Sequence, residues 1–407
     1  MNTSLLLGLV LILVLGRLGG ALFERFRLPA VLGELLAGIA LGNLGLLGFH
    51  ALEPLRGDAT IAMLAQLGVL FLLFQVGLES DVGRMMQVGA SSLVVAVLGV
   101  IAPMVLGFGV TRWFFPGHAV LGNWFVGATL CATSVGITAR VLGDLGRTNS
   151  AEGRIILGAA VIDDVLGLMV LAVVQGLIAA EDRGVAFHAG TVLAIVGRAV
   201  LFLAGAAIAG RWLSARVFRV AARLGGDGTL LTTALAFCFL LAWLAGVVGL
   251  APIVGAFAAG LVLEDVHYRE LRAREQRGIA ELMRPLATFM VPVFFVLMGM
   301  GVDLRVFVRG DILAFAGVLT LVAIAGKQAC SLGVLTPGAD RLAIGLGMIP
   351  RGEVGLIFAG IGASLTLGGE RVITDAIYSA VIVMVAVTTL LTPPLLAWRM
   401  RGVPRTA

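Results

Sequence analysis

Residues 153–180 read GRIILGAAVIDDVLGLMVLAVVQGLIAA, and residues 312–335 read ILAFAGVLTLVAIAGKQACSLGVL. Each is long enough to cross a hydrocarbon layer, which needs roughly 20 apolar residues of helix. Yet the first carries Asp163 and Asp164 mid-run, and the second carries Lys327 near its end. Charges at such depth are expensive and rare, and they usually lie on the path of an ion or a proton. Lys327 is the chain's one lysine, and arginines make up the rest of its 29 basic residues.

The composition around these segments agrees. Of 407 residues, 59% are hydrophobic and 13% charged, and the mean hydropathy is +1.06. A soluble domain would carry about 25% charge. The 56 glycines far exceed the roughly 7% of ordinary chains; scattered through apolar segments, they suit close helix packing in lipid. The net charge of +5 gives no nucleic-acid reading, because the arginines fall mainly between apolar windows. Cys131, Cys238 and Cys330 sit in separate apolar stretches without metal or redox spacing, so no cofactor is expected. The start, MNTSLLLGLVLILVLGRLGG, lacks a basic n-region and an A-x-A site, and reads as a first span rather than a cleaved signal.

Apolar windows fall at 4–22, 28–46, 61–79, 88–111, 121–143, 153–180, 187–210, 228–246, 249–264, 281–301, 311–331, 340–365 and 373–397. Thirteen crossings put the termini on opposite sides. With the C-terminus inside, the inner loops and their flanks hold nineteen arginines, Arg211, Arg216, Arg219 and Arg223 among them, and the outer loops hold six. The positive-inside rule then places the N-terminus outside and the C-terminus in the cytoplasm. The last window ends close to the C-terminus, so no soluble regulatory domain is expected after it.

The windows repeat. LPAVLGELLAG at 28–38 is echoed by APIVGAFAAG at 251–260, and LLFQVGLESD at 72–81 by VFFVLMGMGVD at 293–303. The offset is seven windows, an odd number, so the copies face opposite ways. Inverted repeats are a recurrent transporter plan; here they divide the chain into six spans, one linker and six more. In this register the fifth window pairs with the twelfth, and both are interrupted. The fifth contains Thr129, Thr133, Ser134, Gly136 and Thr138; the twelfth contains Pro350, Arg351, Gly352 and Glu353. Proline removes a backbone donor, and backbone so freed is tolerated only against protein or a water-filled cavity. Two broken helices in matching positions point to a central site.

Adjacent on one helix, Asp163 and Asp164 point about 100° apart, so their tasks differ. Asp164 is the chosen ion-binding carboxylate, because a hard oxygen anion takes either Na+ or a proton, and that choice alone suffices for exchange. Asp163 is then free to pair with Lys327, and Thr133 and Ser134 are placed to supply hydroxyl or carbonyl oxygens. Glu353 either neutralises Arg351 or caps amides, while Arg351 is also able to satisfy loose carbonyls. Glu34 and Glu79, near span ends, are expected to face the interface. His50, His118, His188 and His267 fall in loops and are not expected on a proton path. A cavity leading to Asp164 from outside is expected to be negative, because cations are drawn along a polar funnel.

The segments LPAVLGELLAGIALG, LFQVGLESD, ATSVGITARVLGDLG, GAAVIDDVLGL, AGKQACSLGVL and GLGMIPRGEVGLI, in that order along nearly the whole chain, resemble the monovalent cation:proton antiporter-2 family. Its prokaryotic two-aspartate Na+/H+ antiporters of thirteen spans are the nearest in pattern. The resemblance implies an all-α polytopic fold with crossed discontinuous helices and a homodimer in the bacterial cytoplasmic (inner) membrane. It implies dimerisation-domain spans at 1–86 and 228–310, core spans at 87–186 and 311–407, and a linker span at 187–227. By position Asp164 matches the aspartate that transiently holds Na+ or H+, and Asp163 the one that pairs with Lys327. Thr133 and Ser134 match the first unwound stretch, supported by Thr129; Arg351 and Glu353 match the second. It further implies electrogenic exchange, two protons in for one Na+ or Li+ out, serving pH homeostasis. K+/H+ exchange by the same fold is the alternative, although K+ efflux relatives tend to have Gln in place of Asp163 and a C-terminal nucleotide-binding domain. A bile-acid-type Na+ symporter shares broken helices but has no use for an Asp-Asp/Lys set, and an inert sensory or channel-like core is the third reading.

Overall fold

The computed structural model describes residues 3–26, 28–49, 52–79, 89–182, 189–224, 228–263 and 277–401. Its helices are α1 (Thr3–Arg25), α2 (Ala30–Gly42), α3 (Ala59–Glu79), α4 (Ala90–Phe114), α5 (Val120–Thr129), α6 (Val135–Asp144), α7 (Ala151–Asp182), α8 (Ala189–Leu224), α9 (Thr229–Val247), α10 (Pro252–Val262), α11 (Ile279–Met300), α12 (Gly310–Ala329), α13 (Arg341–Met348), α14 (Glu353–Ser364) and α15 (Asp375–Arg401). The one strand pair among the described residues, β1 (Thr366–Leu367) with β2 (Glu370–Arg371), is a hairpin. Gly368 and Gly369 turn it at φ +60° and +85°, the positive angles that a tight two-residue loop demands.

The helices follow the apolar windows. Eight among the described residues are long and apolar enough to span a membrane, and three further windows carry shorter helices, α2, α10 and the apolar part of α8. The two remaining windows, the fifth and the twelfth, are each a pair of half-helices, α5–α6 and α13–α14. The protein is therefore an all-α polytopic membrane protein. Outward faces are apolar, as lipid contact requires: Leu7, Val10, Val14 and Leu18 of α1 are all at least half exposed.

Packing falls into two groups. In the first, α2 and α3 both lie on α11, α10 lies between α3 and α9, and α1 covers α2 and α11. In the second, α4 packs on α5, α7 and α12, and α15 packs on α6, α12, α13 and α14. The long helix α8 touches α7 of one group and α9 and α10 of the other. Glycine sets the closest crossings. A Cβ on Gly38 would lie 2.1 Å from the Val296 carbonyl oxygen, and one on Gly260 2.2 Å from that of Phe74. The partner glycines lie as close: a Cβ on Gly299 of α11 would lie 2.1 Å from the Leu35 carbonyl oxygen of α2, and one on Gly77 of α3 2.2 Å from that of Phe257 of α10. Only a residue without a side chain lets the backbones meet this closely.

Candidate functional site

Lys327 and Asp163 come together from α12 and α7. The Lys327 ammonium donates to both carboxylate oxygens, at 2.9 and 3.0 Å, and both side chains have no exposure. The Thr133 hydroxyl lies beside Asp163. The pair is sealed by glycine: a Cβ on Gly99 of α4 would stand 3.5 Å from Nζ and 3.6 Å from Oδ1. Beside it, Gly326 lets α12 close on Pro103, where a Cβ would come within 2.8 Å of the proline Cα. Water is thereby kept from the pair, so its stability rests on geometry and not on hydration. Asp164, the next residue, is buried at 7% exposure.

The two helix breaks meet beside α7. Residues 130–134 leave helix between α5 and α6, and residues 349–352 between α13 and α14. The Ser134 N–H donates to the Pro350 carbonyl at 2.8 Å. The Thr138 hydroxyl donates to Gly347 at 2.7 Å, and that of Thr133 to Met348 at 3.3 Å. Each break thus satisfies backbone groups that the other has lost, as an irregular segment within a membrane requires. Gly352 permits the fit, because a Cβ there would lie 2.6 Å from Ser134 Oγ.

Arg351, fully buried, ties the crossing together. Its guanidinium donates to the carbonyls of Leu130 and Ala323, each at 2.9 Å, and to Ile349 in its own break. Leu130 opens the other break, and Ala323 lies one turn before Lys327. The Thr389 hydroxyl of α15 donates to the Arg351 carbonyl. The planar, permanently charged fork suits three acceptors from three directions.

The remaining expected site residues flank the breaks: Thr129 ends α5 and Glu353 opens α14. Thr129 turns its hydroxyl back onto Val126, at 2.7 Å. The Glu353 side chain, with its suggested neutralisation of Arg351, lies outside those described, as does that of Glu79. Glu34 departs from the expectation: it is 6% exposed and sits beside Gly20 where α1 crosses α2, because the glycine contact there draws the two helices over it. Sequence reasoning passed over Gly99, Thr389 and Gln175. A glycine facing the window of the lysine and a threonine cluster in an apolar helix were the available signals for the first two.

A cavity of about 470 Å³ opens between the two groups of helices, lined by Ala62, Gln66 and Val69 of α3, Gln175 of α7, Phe294 and Met298 of α11 and Ile357 of α14, among others. No carboxylate appears among its described lining residues. The helices that pack against one another across this seam present mostly aliphatic and aromatic faces.

A helical membrane bundle with a dry ion pair beside two crossed, broken helices defines a secondary transporter, not an enzyme. The family described as sodium/hydrogen exchanger, transmembrane, matches residues 10–401, and the chain belongs to that family. It is 39% identical to the high-affinity Na+/H+ antiporter NhaS3 of Synechocystis sp., covering 96% of this chain and 88% of that protein. It is 33% identical to the Na+/H+-K+ antiporter GerN of Bacillus cereus, covering 96% and 95%. Among solved structures, the sodium proton antiporter MjNhaP1 of Methanocaldococcus jannaschii superimposes with a TM-score of 0.72 at 19% identity, over 98% of each chain, a likeness of fold.

Proposed function

We propose that this protein exports Na+ or Li+ in exchange for H+ by alternating access, with Asp164 taking either the cation or the proton. The observation that carries the reading is the fully buried Lys327–Asp163 pair at the crossing of two breaks, directly beside Asp164. Asp163 is committed to Lys327, and Asp164, buried beside it, is the carboxylate assigned to exchange ligands. Na+ at Asp164 draws Asp163 toward it, and Lys327 then loses its partner and its proton. Two protons are released for each cation bound, which makes the cycle electrogenic. Arg351, on carbonyls, holds the breaks in place through the cycle. This reading places the chain in the two-aspartate branch of the monovalent cation:proton antiporter-2 group.

The architecture supports a division of labour. The group of α4–α7 and α12–α15 is the core that moves, and the group of α1–α3 and α9–α11 is the dimerisation scaffold, with α8 as linker. Thirteen crossings in inverted repeats, the N-terminus outside, the C-terminus in the cytoplasm of a bacterial cell and a homodimer complete the proposal. The paired glycine contacts of α2–α11 and α10–α3 favour the repeat.

The test is transport in everted vesicles with Na+, Li+ and K+ at several pH values, comparing wild type with Asp164→Asn. Exchange of Na+ and Li+ that vanishes in a folded Asp164→Asn protein is expected; flux near the wild-type rate in that variant refutes the site. Transport of K+ alone would favour K+/H+ exchange, a reading kept by the likeness to GerN.

A further inference from the structure

We propose that Gln175 is a way station that passes the cation between the cavity and Asp164, a positioning residue for the exchange proposed above. Asp164 and Gln175 lie on the same helix, α7, eleven residues apart (175 minus 164). That is close to three full turns, about 16 Å along the axis, so both occupy nearly one face. Gln175 is half-buried, it lines the cavity, and its Oε1 is buried with no hydrogen-bond partner among the described residues. A buried acceptor without a partner is destabilising and calls for an explanation. Packing offers none, since leucine or methionine would fill the same space without a polar atom.

The cavity supplies a reason. Its other polar side chains are Gln66 of α3 and Ser364 of α14, and the rest of its lining is apolar. A cation crossing such a wall keeps its own water until it reaches a protein oxygen. Turning the Gln175 carboxamide about its last bond brings an uncharged, hard oxygen to the cavity. A neutral amide replaces water of hydration without trapping the ion, as a carboxylate in its place would. Gln66, on a helix of the other group, lines the same cavity.

The inference depends on Asp164 being the exchanging carboxylate, and the test separates the two. Purified Gln175→Leu is compared with wild type in proteoliposomes and by Na+-dependent melting in detergent. The expected result is a fall of about tenfold in kcat/KM for Na+, the loss of one ion–amide contact. The half-saturating Na+ for thermal stabilisation should not move, and the Na+-free melting point should stay or rise. Gln175→Asn, a shorter amide, should restore part of the rate; Gln175→Met is measured in the same way should the leucine variant fail to fold. Unchanged kcat/KM overturns the proposal. So does a fall matched by an equal loss of equilibrium affinity, which would put Gln175 in the binding site, or one accompanied by a lower melting point, which would make its role structural. Should Asp164→Asn still transport, the Asp164 reading fails instead, whatever Gln175 does.

Discussion

Replacing Lys327 with glutamine tests the buried pair most directly. Asp163 then loses both ammonium contacts, of 2.9 and 3.0 Å, in a place with no exposure. Breaking one side of a buried pair destabilises by about 3–5 kcal/mol. An upper bound follows from protonation, which lets the carboxylate escape its isolation. At pH 7.5, neutralising an ordinary aspartate of pKa near 3.9 takes about 1.36 kcal/mol per pH unit, or about 5 kcal/mol. The same bound falls to about 2 kcal/mol at pH 5.5, so the deficit of Lys327→Gln should shrink on acidification. A double variant, Asp163→Asn with Lys327→Gln, removes both charges and should recover most of the loss. Melting of the purified protein in detergent, at both pH values and for all four members of the cycle, provides the measurement. A Lys327→Gln protein as stable as wild type at pH 7.5, or a double variant less stable than either single one, would refute the reasoning.

Other consequences are open to simpler assays. Solid-supported membrane recordings should register net current during Na+-driven proton exchange; silent, electroneutral exchange would remove Lys327 from the proton count. Arg351→Lys should lower stability by a few kcal/mol, because a single ammonium cannot reach the carbonyls of Leu130, Ala323 and Ile349 together and each abandoned acceptor costs about 1–3 kcal/mol; a wild-type melting point would contradict it. Gly260→Val should prevent α10 from closing on α3, since even a Cβ would stand 2.2 Å from the Phe74 carbonyl oxygen. Its yield of folded protein is expected to collapse, and normal yield would show that the crossing is looser than described.

The sequence by itself determined the membrane class, the positions of the helices and the places where two of them break. These are local properties: an apolar run must satisfy its own backbone in lipid, and a proline or a cluster of threonine and glycine interrupts it wherever the chain folds. Local chemistry also singled out Asp163, Asp164 and Lys327, since charge in an apolar window stands out without any neighbour being known. The pairing of Asp163 with Lys327 was expected from the sequence, but the packing that makes it, and the neighbours of the other charges, were decided only in three dimensions. Helical geometry set the two aspartates on different faces, but the packing of both α7 and α12 on α4 is what presents Asp163 to Lys327. Arg351 had a sequence neighbour in Glu353 as one candidate partner, and the fold hands it carbonyls of Leu130 and Ala323, more than two hundred residues away in one case. Glu34 read as an interfacial residue until the α1–α2 crossing covered it. The apolar cavity, with Gln175 in its wall, arises from five helices distant in sequence. Hydropathy and helix breaking depend on a few adjacent residues, whereas partners, burial and cavities depend on which faces the packing brings together.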